Sequence, residues 1–320
     1  MKASFRSKYG NPDVLQFIDV PTPIARDNEI LIKIHATTVN RTDSGFLTGK
    51  PHFARLIIGF PNPKNKILGC EFAGQVESVG NGVTLFRPGD RVFGYDEENF
   101  GGHAEYKTMK ENGPVALIPE GMSYSEAAPL TEGSHYALCD IRAAKVLPGQ
   151  QVMVYGATGA IGSAAVQLVK ATGAEVTAVG NTKNLALLRS LGADEVVDYT
   201  QQDFTKTDTW FDFIFDAVGK SSFGACKPML KKRGIYISTE LGPGSQNPFL
   251  AMLSPFSRGK KVLFPIPTIN KEDVLFLRKL AVEKKFRPVI DRQYPFVKIV
   301  DAFTYVLTGQ KTGNVVISMD

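Results

Sequence analysis

A glycine-rich stretch, residues 152–173, constrains the fold of this chain more than any other part of the sequence. It begins with Val152-Met153-Val154-Tyr155, a short apolar run typical of a buried strand. Glycines follow at once, and apolar residues then recur at helical spacing as far as Val169. Strand, glycine turn and helix in this order predict dinucleotide binding. Small residues let the backbone approach a pyrophosphate, and the N–H groups at a helix N-terminus attract its negative charge.

The fingerprint G-x-G-x-x-G is imperfect in residues 157–162, because alanine takes the first glycine position. The alternative is an ordinary tight turn between a strand and a helix. Residues 174–179 and 185–191 favour the dinucleotide site, since they predict the second strand and helix of one βαβ unit. We therefore expect the whole turn to contact the cofactor through Ala157, Thr158, Gly159, Ala160, Ile161 and Gly162.

Composition narrows the class of protein. The 320 residues are 43% hydrophobic, which is enough for a packed core, and the net charge of +5 is not concentrated in one long basic block. Three widely spaced cysteines suggest no disulfide framework. The N-terminus lacks the apolar run of a signal peptide, and no stretch is suited to span a bilayer. We expect a cytoplasmic protein with neither a nucleic-acid nor a membrane partner.

The order of the predicted elements indicates an α/β protein with two domains. Residues 1–123 are rich in predicted strands and close turns. From 124 to 264 strands alternate with helices, which is typical of a doubly wound parallel sheet. Predicted strands after the βαβ unit are 195–198, 211–216 and 234–238. The tail, 265–320, contains two predicted helices and a final strand at 314–318. We expect this return segment to complete the first domain.

Several motifs together resemble the medium-chain dehydrogenase/reductase superfamily, in particular its zinc-independent quinone oxidoreductase (zeta-crystallin-like) branch. The resemblance covers nearly the full length. It implies a GroES-like catalytic domain split around a Rossmann domain, with the cofactor in the cleft between them. The residues that carry it are 39–43, 69–74, 86–94, 101–106, 148–173, 191–194, 215–219 and 312–316.

Zinc divides this superfamily. The resemblance places Asn40-Arg41-Thr42-Asp43 where zinc-dependent relatives have a ligand cysteine, and Cys70-Glu71 where they have a His-Glu pair. A four-cysteine structural lobe is also missing. We interpret Cys70 as a small buried residue and Glu71 as a structural acid, and we expect no metal.

The residues after the second strand of the βαβ unit favour NADPH. An NAD site usually has an acid about 20 residues past the glycines, whereas this chain has Asn181, Thr182 and Lys183. Thr182 and Lys183 are able to bind a 2′-phosphate. The alternative is that Asn181 and Thr182 only cap a helix and Lys183 is solvated. By resemblance, Tyr199 adds a further contact. The other cofactor contacts that the resemblance implies are Val218, Thr239, Leu241 and Asn314.

Catalytic residues are indicated only by the resemblance, which puts Asn40, Asp43 and Thr131 near the nicotinamide and the substrate. Many relatives have a pocket tyrosine two residues after the matched Asp43, where this chain has Gly45-Phe46. No general acid stands out in the sequence, so solvent is a candidate proton source.

These observations predict a zinc-free, NADPH-dependent reductase of quinones or enones. An alkenal or enoyl-thioester reductase is the rival among enzymes, and a non-enzymatic NADPH-binding protein is the rival from another class. We also expect a homodimer, paired through the last Rossmann strand near residues 262–264.

Overall fold

Three β-sheets form the framework of the computed structural model, which describes residues 1–319. The strands are β1 (Lys2–Phe5), β2 (Gln16–Asp19), β3 (Glu29–Val39), β4 (Glu71–Val79), β5 (Arg91–Tyr95), β6 (Tyr106–Lys110), β7 (Val115–Leu117), β8 (Gln151–Tyr155), β9 (Glu175–Gly180), β10 (Glu195–Asp198), β11 (Phe211–Asp216), β12 (Leu230–Ser238), β13 (Lys261–Leu263), β14 (Ile290–Pro295) and β15 (Asn314–Ser318).

Helices of very different lengths connect these strands. The α-helices are α1 (Arg41–Thr48), α2 (Arg55–Ile58), α3 (Tyr124–Ala127), α4 (Glu132–Ala144), α5 (Ala160–Ala171), α6 (Leu185–Ser190), α7 (Phe223–Cys226), α8 (Gln246–Leu253), α9 (Lys271–Val282) and α10 (Ile299–Leu307). Turns of 3-10 helix cover Pro12–Val14, His52–Ala54, Ala128–Leu130, Thr182–Asn184, Pro243–Ser245, Ser254–Phe256, Lys227–Met229 and Phe296–Lys298.

The first compact unit comprises Met1–Glu132, Ile269–Glu283 and the segment from Pro288 onwards. Its main sheet has the order β14-β15-β3-β4-β5-β7, with β6 also paired to β3. After the chain has built the second unit it returns, and β15 pairs antiparallel with the C-terminal half of β3. Ile30, Ile32 and Ile34 alternate along β3 and enter one buried core of this sheet. We call this β-rich part the GroES-like unit.

The second compact unit comprises Gly133–Thr268 and Lys284–Arg287. Its six strands pair in parallel in the order β10-β9-β8-β11-β12-β13. The order reverses between β8 and β11, which is the switch point of a doubly wound sheet. Val152, Met153 and Val154 of the central strand β8 are fully buried. The predicted α/β class, with a β-rich domain and a Rossmann-like domain, is confirmed.

Several elements differ from the sequence prediction, and two of them are strands of the main sheets. The strand predicted at 234–238 begins earlier, at Leu230, because a register shift opposite Phe211–Phe213 accommodates the charged residues 231–233. A strand that the sequence did not predict, β14, pairs in parallel with β15. Within residues 1–319, no helix has the length and apolar character needed to cross a bilayer.

Candidate active site

In the Rossmann-like unit, the turn between β8 and α5 has the geometry of a phosphate cradle. Gly156 has φ +75°, a conformation that a side chain would strain. A Cβ at Gly162 would lie only 2.2 Å from the carbonyl oxygen of Gly156, so helix and turn approach closely only because this residue is glycine. Gly159 is the N-cap of α5, and the first N–H groups of a helix have no intrahelical partner. The glycine that makes the turn therefore precedes Ala157 by one residue.

Val218 and this turn meet at the switch point of the sheet. A Cβ at Gly156 would lie 2.6 Å from Cγ1 of Val218, so the two residues are in direct contact. The segment after β11 is held by the fully buried Asp216, whose Oδ1 accepts hydrogen bonds from the N–H groups of Val218 (3.2 Å) and Gly219 (2.7 Å). In doubly wound folds, ligands bind at this point.

The loop after β12 continues the same edge of the sheet. The Thr239 N–H donates to the Asp216 carbonyl oxygen at 3.1 Å, and the Asn247 N–H donates to the Leu241 carbonyl oxygen at 2.9 Å. The Thr239 hydroxyl is buried and has no hydrogen-bond partner within residues 1–319. Buried polar groups are rarely left unpaired, so this hydroxyl is available to a ligand.

The corner formed by β9 and β10 contains an acid that the sequence analysis missed. The Thr182 hydroxyl donates to Oδ2 of Asp198 at 2.6 Å, and Thr200 donates its N–H (2.9 Å) and hydroxyl (2.7 Å) to Oδ1. The Thr182 hydrogen bond is the largest influence that lowers the pKa of Asp198. Lys183 and Tyr199, which is 49% exposed, lie at the same corner. A carboxylate therefore lies beside the predicted 2′-phosphate site, but it belongs to β10 and not to β9.

These features fit a dinucleotide. The predicted residues of this unit, from Ala157 to Leu241, all follow the carboxyl ends of five neighbouring parallel strands. The tight glycine turn lets a pyrophosphate approach the backbone, and the unpaired hydroxyl of Thr239 is able to hydrogen-bond a nucleotide. Asn314, in contrast, lies in the GroES-like unit.

Asn40 and Asp43 lie at the junction of β3 and α1 in the GroES-like unit. The Asn40 N–H donates to Oδ2 of Asp43 at 3.0 Å, an arrangement that caps the helix. Oδ1 of Asp43 accepts from the Gly69 N–H at 3.1 Å. Both residues are buried. Asp43 therefore holds β3, α1 and the start of β4 together, and both of its oxygens already have protein partners.

Glu71 is the centre of the hydrogen-bond network in this unit. Its Oε1 accepts from the N–H and the hydroxyl of Thr131, both at 2.9 Å, and from the Glu132 N–H. Its Oε2 accepts from the Thr38 hydroxyl at 2.8 Å and from Nδ2 of Asn40 at 3.2 Å. A carboxylate with five donors fixes the positions of the groups around it.

Asn40 connects this network to β15. Its Nδ2 also donates to Oδ1 of Asn314 at 3.0 Å, so one amide group bridges Glu71 and Asn314. Oδ1 of Asn40 is buried without a partner in residues 1–319. The structure therefore brings Asn40, Thr131 and Asn314 together around Glu71, and it leaves one acceptor atom of Asn40 available.

Three ionisable groups interact at this position. Burial raises the pKa of Glu71, although the hydrogen bonds that it accepts from Glu132, Thr38 and Thr131 lower it. Burial, followed by the negative charges of Asp43 and Glu71, raises the pKa of Glu132 well above its usual range. Burial lowers the pKa of Lys311 to about 8, although Glu132 and Glu71 oppose this shift. The first cause of all three shifts is burial, which disfavours the charged form of each group.

The residues that occupy the zinc-ligand positions of zinc-dependent relatives form hydrogen bonds with one another. Cys70 is fully buried, and its Sγ donates to Oδ1 of Asp43 at 3.8 Å. Burial, and then Asp43, raise the pKa of its thiol, whereas a zinc ligand must be a thiolate. His103 has Nε2 2.8 Å from the Thr38 carbonyl oxygen. Over residues 1–319, no three His, Cys, Asp or Glu side chains are arranged to hold a metal.

Glu71 and Glu132 were missed as site residues because their importance depends on contacts that the sequence does not reveal. The sequence indicates only a structural acid at Glu71, which is separated from Thr131 by 60 positions. The one available signal was Glu132 itself, a charged residue directly after the matched Thr131.

Comparison with known proteins identifies the family. Residues 26–120 match the alcohol dehydrogenase GroES-like domain, and residues 191–317 match the family described as zinc-binding dehydrogenase. The 2-methylene-furan-3-one reductase of Solanum lycopersicum is 33% identical over 329 aligned residues, which cover 99% of this chain and 79% of that protein. This chain belongs to the medium-chain dehydrogenase/reductase superfamily.

Two further superfamily members are similar over the whole chain. The NADPH-dependent alkenal/one oxidoreductase of Arabidopsis thaliana is 29% identical, and the alignment covers 99% of this chain and 79% of that protein. The structure of the quinone oxidoreductase from Coxiella burnetii matches with a TM-score of 0.88 at 28% identity, over 100% of this chain and 99% of that one. The resemblance to zinc-independent quinone oxidoreductases is therefore confirmed, and the chain is an oxidoreductase.

Proposed function

We propose that the protein is a zinc-free reductase that uses NADPH to reduce a quinone or a conjugated carbon–carbon double bond. The observation that carries the proposal is the contact between Cys70 and Asp43. The thiol is buried, its pKa is raised, and the carboxylate oxygens accept hydrogen bonds from backbone N–H groups. Such a pair is not prepared to hold the Lewis acid that simple alcohol oxidation needs at neutral pH.

The relatives support the proposed class of acceptor. Their names specify a 2-methylene-furan-3-one, an alkenal or alkenone, and a quinone, all of which are conjugated acceptors. Bound NADPH would supply the hydride. In a conjugated acceptor the developing negative charge reaches an oxygen, where hydrogen-bond donors and water stabilise it, and a proton then completes the reduction. The non-enzymatic alternative loses its support, because these relatives are named as reductases or oxidoreductases.

We assign positioning to Asn40. Its Nδ2 is fixed by Glu71 and Asn314, and its free Oδ1 is a buried acceptor suited to an amide N–H group, such as that of the nicotinamide carboxamide. Thr131, Asp43 and Asn314 act in this proposal by holding Asn40 and its surroundings in place. Asn40→Ala is expected to lower turnover about tenfold or more, with a smaller effect on cofactor affinity, because positioning acts mainly in the transition state.

NADPH is proposed over NADH. Lys183 and the exposed Tyr199 are suited to a 2′-phosphate, and one relative is named NADPH-dependent. Asp198 is the opposing feature, but its oxygens already accept three hydrogen bonds from Thr182 and Thr200. Its capacity to accept a ribose 2′-OH is therefore reduced.

The test compares two reaction mixtures. One contains protein, NADPH and a panel of quinones, enones, alkenals and an enoyl thioester, and the other contains NADP and primary alcohols. We expect turnover only in the first mixture, from protein purified without chelators and with substoichiometric zinc by elemental analysis. Turnover confined to the alcohols, or stoichiometric zinc whose removal abolishes activity, would contradict the proposal. The ranking within the panel distinguishes quinone and enone reduction from the alkenal and enoyl-thioester alternative.

The homodimer and the cytoplasmic location expected from the sequence are retained as proposals. For the dimer, support comes from the exposed apolar residues Phe249, Met252 and Phe256 beside β13. For the location, support rests on the sequence alone.

A further inference from the structure

An apolar surface on the GroES-like unit points to solvent. It is formed by Phe53, Leu56, Ile57 and Phe60, which are 59%, 78%, 75% and 73% exposed, and we call it the 53–60 surface. The first three lie on consecutive turns of 3-10 helix and α2, with the i, i+3, i+4 spacing that normally faces a core. Contiguous exposed apolar patches on soluble proteins mark interaction sites.

Hydrogen bonds hold the 53–60 segment on its protein-facing side. The Arg55 guanidinium donates to the carbonyl oxygens of Gly49 (Nε, 3.0 Å) and Thr48 (Nη2, 3.0 Å), and it lies 4.7 Å from the ring centroid of Tyr9. The Tyr9 hydroxyl donates to the Gly59 carbonyl oxygen at 2.6 Å. The side that faces the protein is therefore held by hydrogen bonds, and the side that faces solvent is apolar. This is the reverse of an ordinary surface helix.

The charges around the surface have one sign. Residues 50–66 contain Lys50, Arg55, Lys64 and Lys66 and no acidic residue. Lys50 and Lys64 are exposed and make no ion pair among residues 1–319. Apolar side chains flanked by solvated lysines are the composition of segments that lie in the interface of an anionic bilayer. A second protein copy would bring the same positive charges against one another, which disfavours self-association through this surface.

We propose that the 53–60 surface docks the protein on anionic lipid membranes. The aromatic and aliphatic side chains enter the headgroup region, and Lys50 and Lys64 contact anionic headgroups. This replaces the sequence-based expectation of no membrane partner, which rested on the lack of a spanning segment. Peripheral binding needs no such segment. If the proposed function holds, docking would bring the enzyme to lipophilic quinones, but the binding itself does not depend on that activity.

Vesicle partition tests the inference without NADPH or acceptor. The full-length protein is sedimented with vesicles of phosphatidylcholine alone and with vesicles that also contain phosphatidylglycerol. We expect binding to the anionic vesicles that falls as salt is raised, because salt screens surface charges. Phe53→Ser/Leu56→Ser should lower partition about tenfold or more. Lys50→Gln/Lys64→Gln should lower it on anionic vesicles by about fivefold per lysine.

Matched controls lie elsewhere on the same unit. Ile24→Ser/Val297→Ser removes exposed apolar side chains, and Lys33→Gln/Lys110→Gln removes exposed lysines, and neither pair should change partition. Equal losses in test and control variants, or no binding of the wild type to anionic vesicles, would overturn the proposal. So would a change of molecular mass by light scattering in Phe53→Ser/Leu56→Ser without lipid, which would make the surface an interface between copies. A raised KM for a water-soluble enone without lipid, with unchanged partition, would make it a substrate lid instead.

Discussion

We predict that cofactor choice in this protein depends on two oppositely charged residues, Lys183 and Asp198, at the ends of β9 and β10. Lys183→Ala should weaken NADPH about ten- to a hundredfold, the range for one charged hydrogen bond, and leave NADH nearly unchanged. Asp198→Asn should act in the opposite direction and strengthen NADPH by about threefold to tenfold, because it removes a negative charge beside the 2′-phosphate.

Fluorescence titration with each nucleotide measures both effects. Lys232→Ala is a suitable control, since this exposed lysine lies in the N-terminal half of β12, away from the carboxyl ends of the strands. An equal loss of NADPH and NADH in Lys183→Ala would mean that the lysine has another role. Tighter NADH in Asp198→Asn would contradict the assignment of its carboxylate as the opposing charge.

Asp140 predicts a pH dependence of stability. It is 3% exposed on α4, and burial raises its pKa to about 8. Because the folded pKa is the higher one, the folded chain keeps this proton while the unfolded chain loses it, so stability falls as pH rises toward 8. Asp140→Asn removes this pH-dependent loss of stability, because asparagine does not titrate. The variant should gain stability over wild type between about pH 5 and pH 8, by roughly 1–4 kcal/mol, since one pKa unit corresponds to about 1.4 kcal/mol.

Urea unfolding of both proteins at the two pH values measures this gain. Asp208→Asn, an exposed acid in the same unit, should show no pH-dependent difference from wild type. A variant-to-wild-type difference that is the same at both pH values would show that Asp140 does not titrate as described.

At the scale of elements, β4 carries the clearest contrast between a buried and an exposed acid. Glu71→Gln would replace one carboxylate oxygen by an NH₂ donor, which would face the donors of either Thr131 and Glu132 or Thr38 and Asn40. At least one buried donor therefore loses its acceptor. The expected cost is about 2–4 kcal/mol of unfolding free energy. Glu77→Gln, on the exposed part of the same strand, should change stability by less than about 0.5 kcal/mol. Thermal unfolding compares the two, and equal melting temperatures would refute the central role of Glu71.

Elements with a local pattern could be predicted from the sequence. The strands at 195–198 and 211–216 and the final strand 314–318 have the predicted bounds, because short apolar runs lie between turn residues. Strand β14 has no such pattern, because most of its residues are exposed at the edge of a sheet. Helix α8 contains Pro248 and exposes apolar residues, so it lacks the polar face by which an amphipathic helix is recognised.

In the candidate site, too, only the parts with a local sequence pattern could be predicted. The glycine turn could be located because strand, turn and helix are consecutive. Asp198 could not be placed beside Thr182, since their contact depends on the register that pairs Asp198 with Gly180. Likewise, the network around Glu71 joins β3, β4, β15 and the start of α4, which are up to 274 residues apart. Contacts of this kind follow from the fold and not from local sequence.

At the scale of the whole molecule, the edge of the Rossmann-like sheet predicts the assembly. Strand β13 pairs with β12 on one side only, and on its other side the Ser254 hydroxyl accepts from the Val262 N–H at 2.9 Å and donates to the Val262 carbonyl oxygen at 2.5 Å. No second strand covers this edge within residues 1–319. Apolar side chains beside this edge are exposed: Phe249 by 58%, Met252 by 66%, Phe256 by 86% and Ile266 by 80%. A second copy related by a two-fold axis would cover both the strand edge and these side chains.

We therefore predict that the protein has the mass of a dimer in light scattering at micromolar concentration. Met252→Glu/Phe256→Glu should shift it to the mass of a monomer, because each copy would bury charges without partners at the interface. Leu147→Glu, which changes a 60% exposed side chain elsewhere in the same unit, should leave the dimer intact. A wild-type monomer would refute the prediction outright. A dimer that survives Met252→Glu/Phe256→Glu would show that the copies associate through another surface, and the Ser254 hydroxyl would then be sufficient to cover the outer edge of β13.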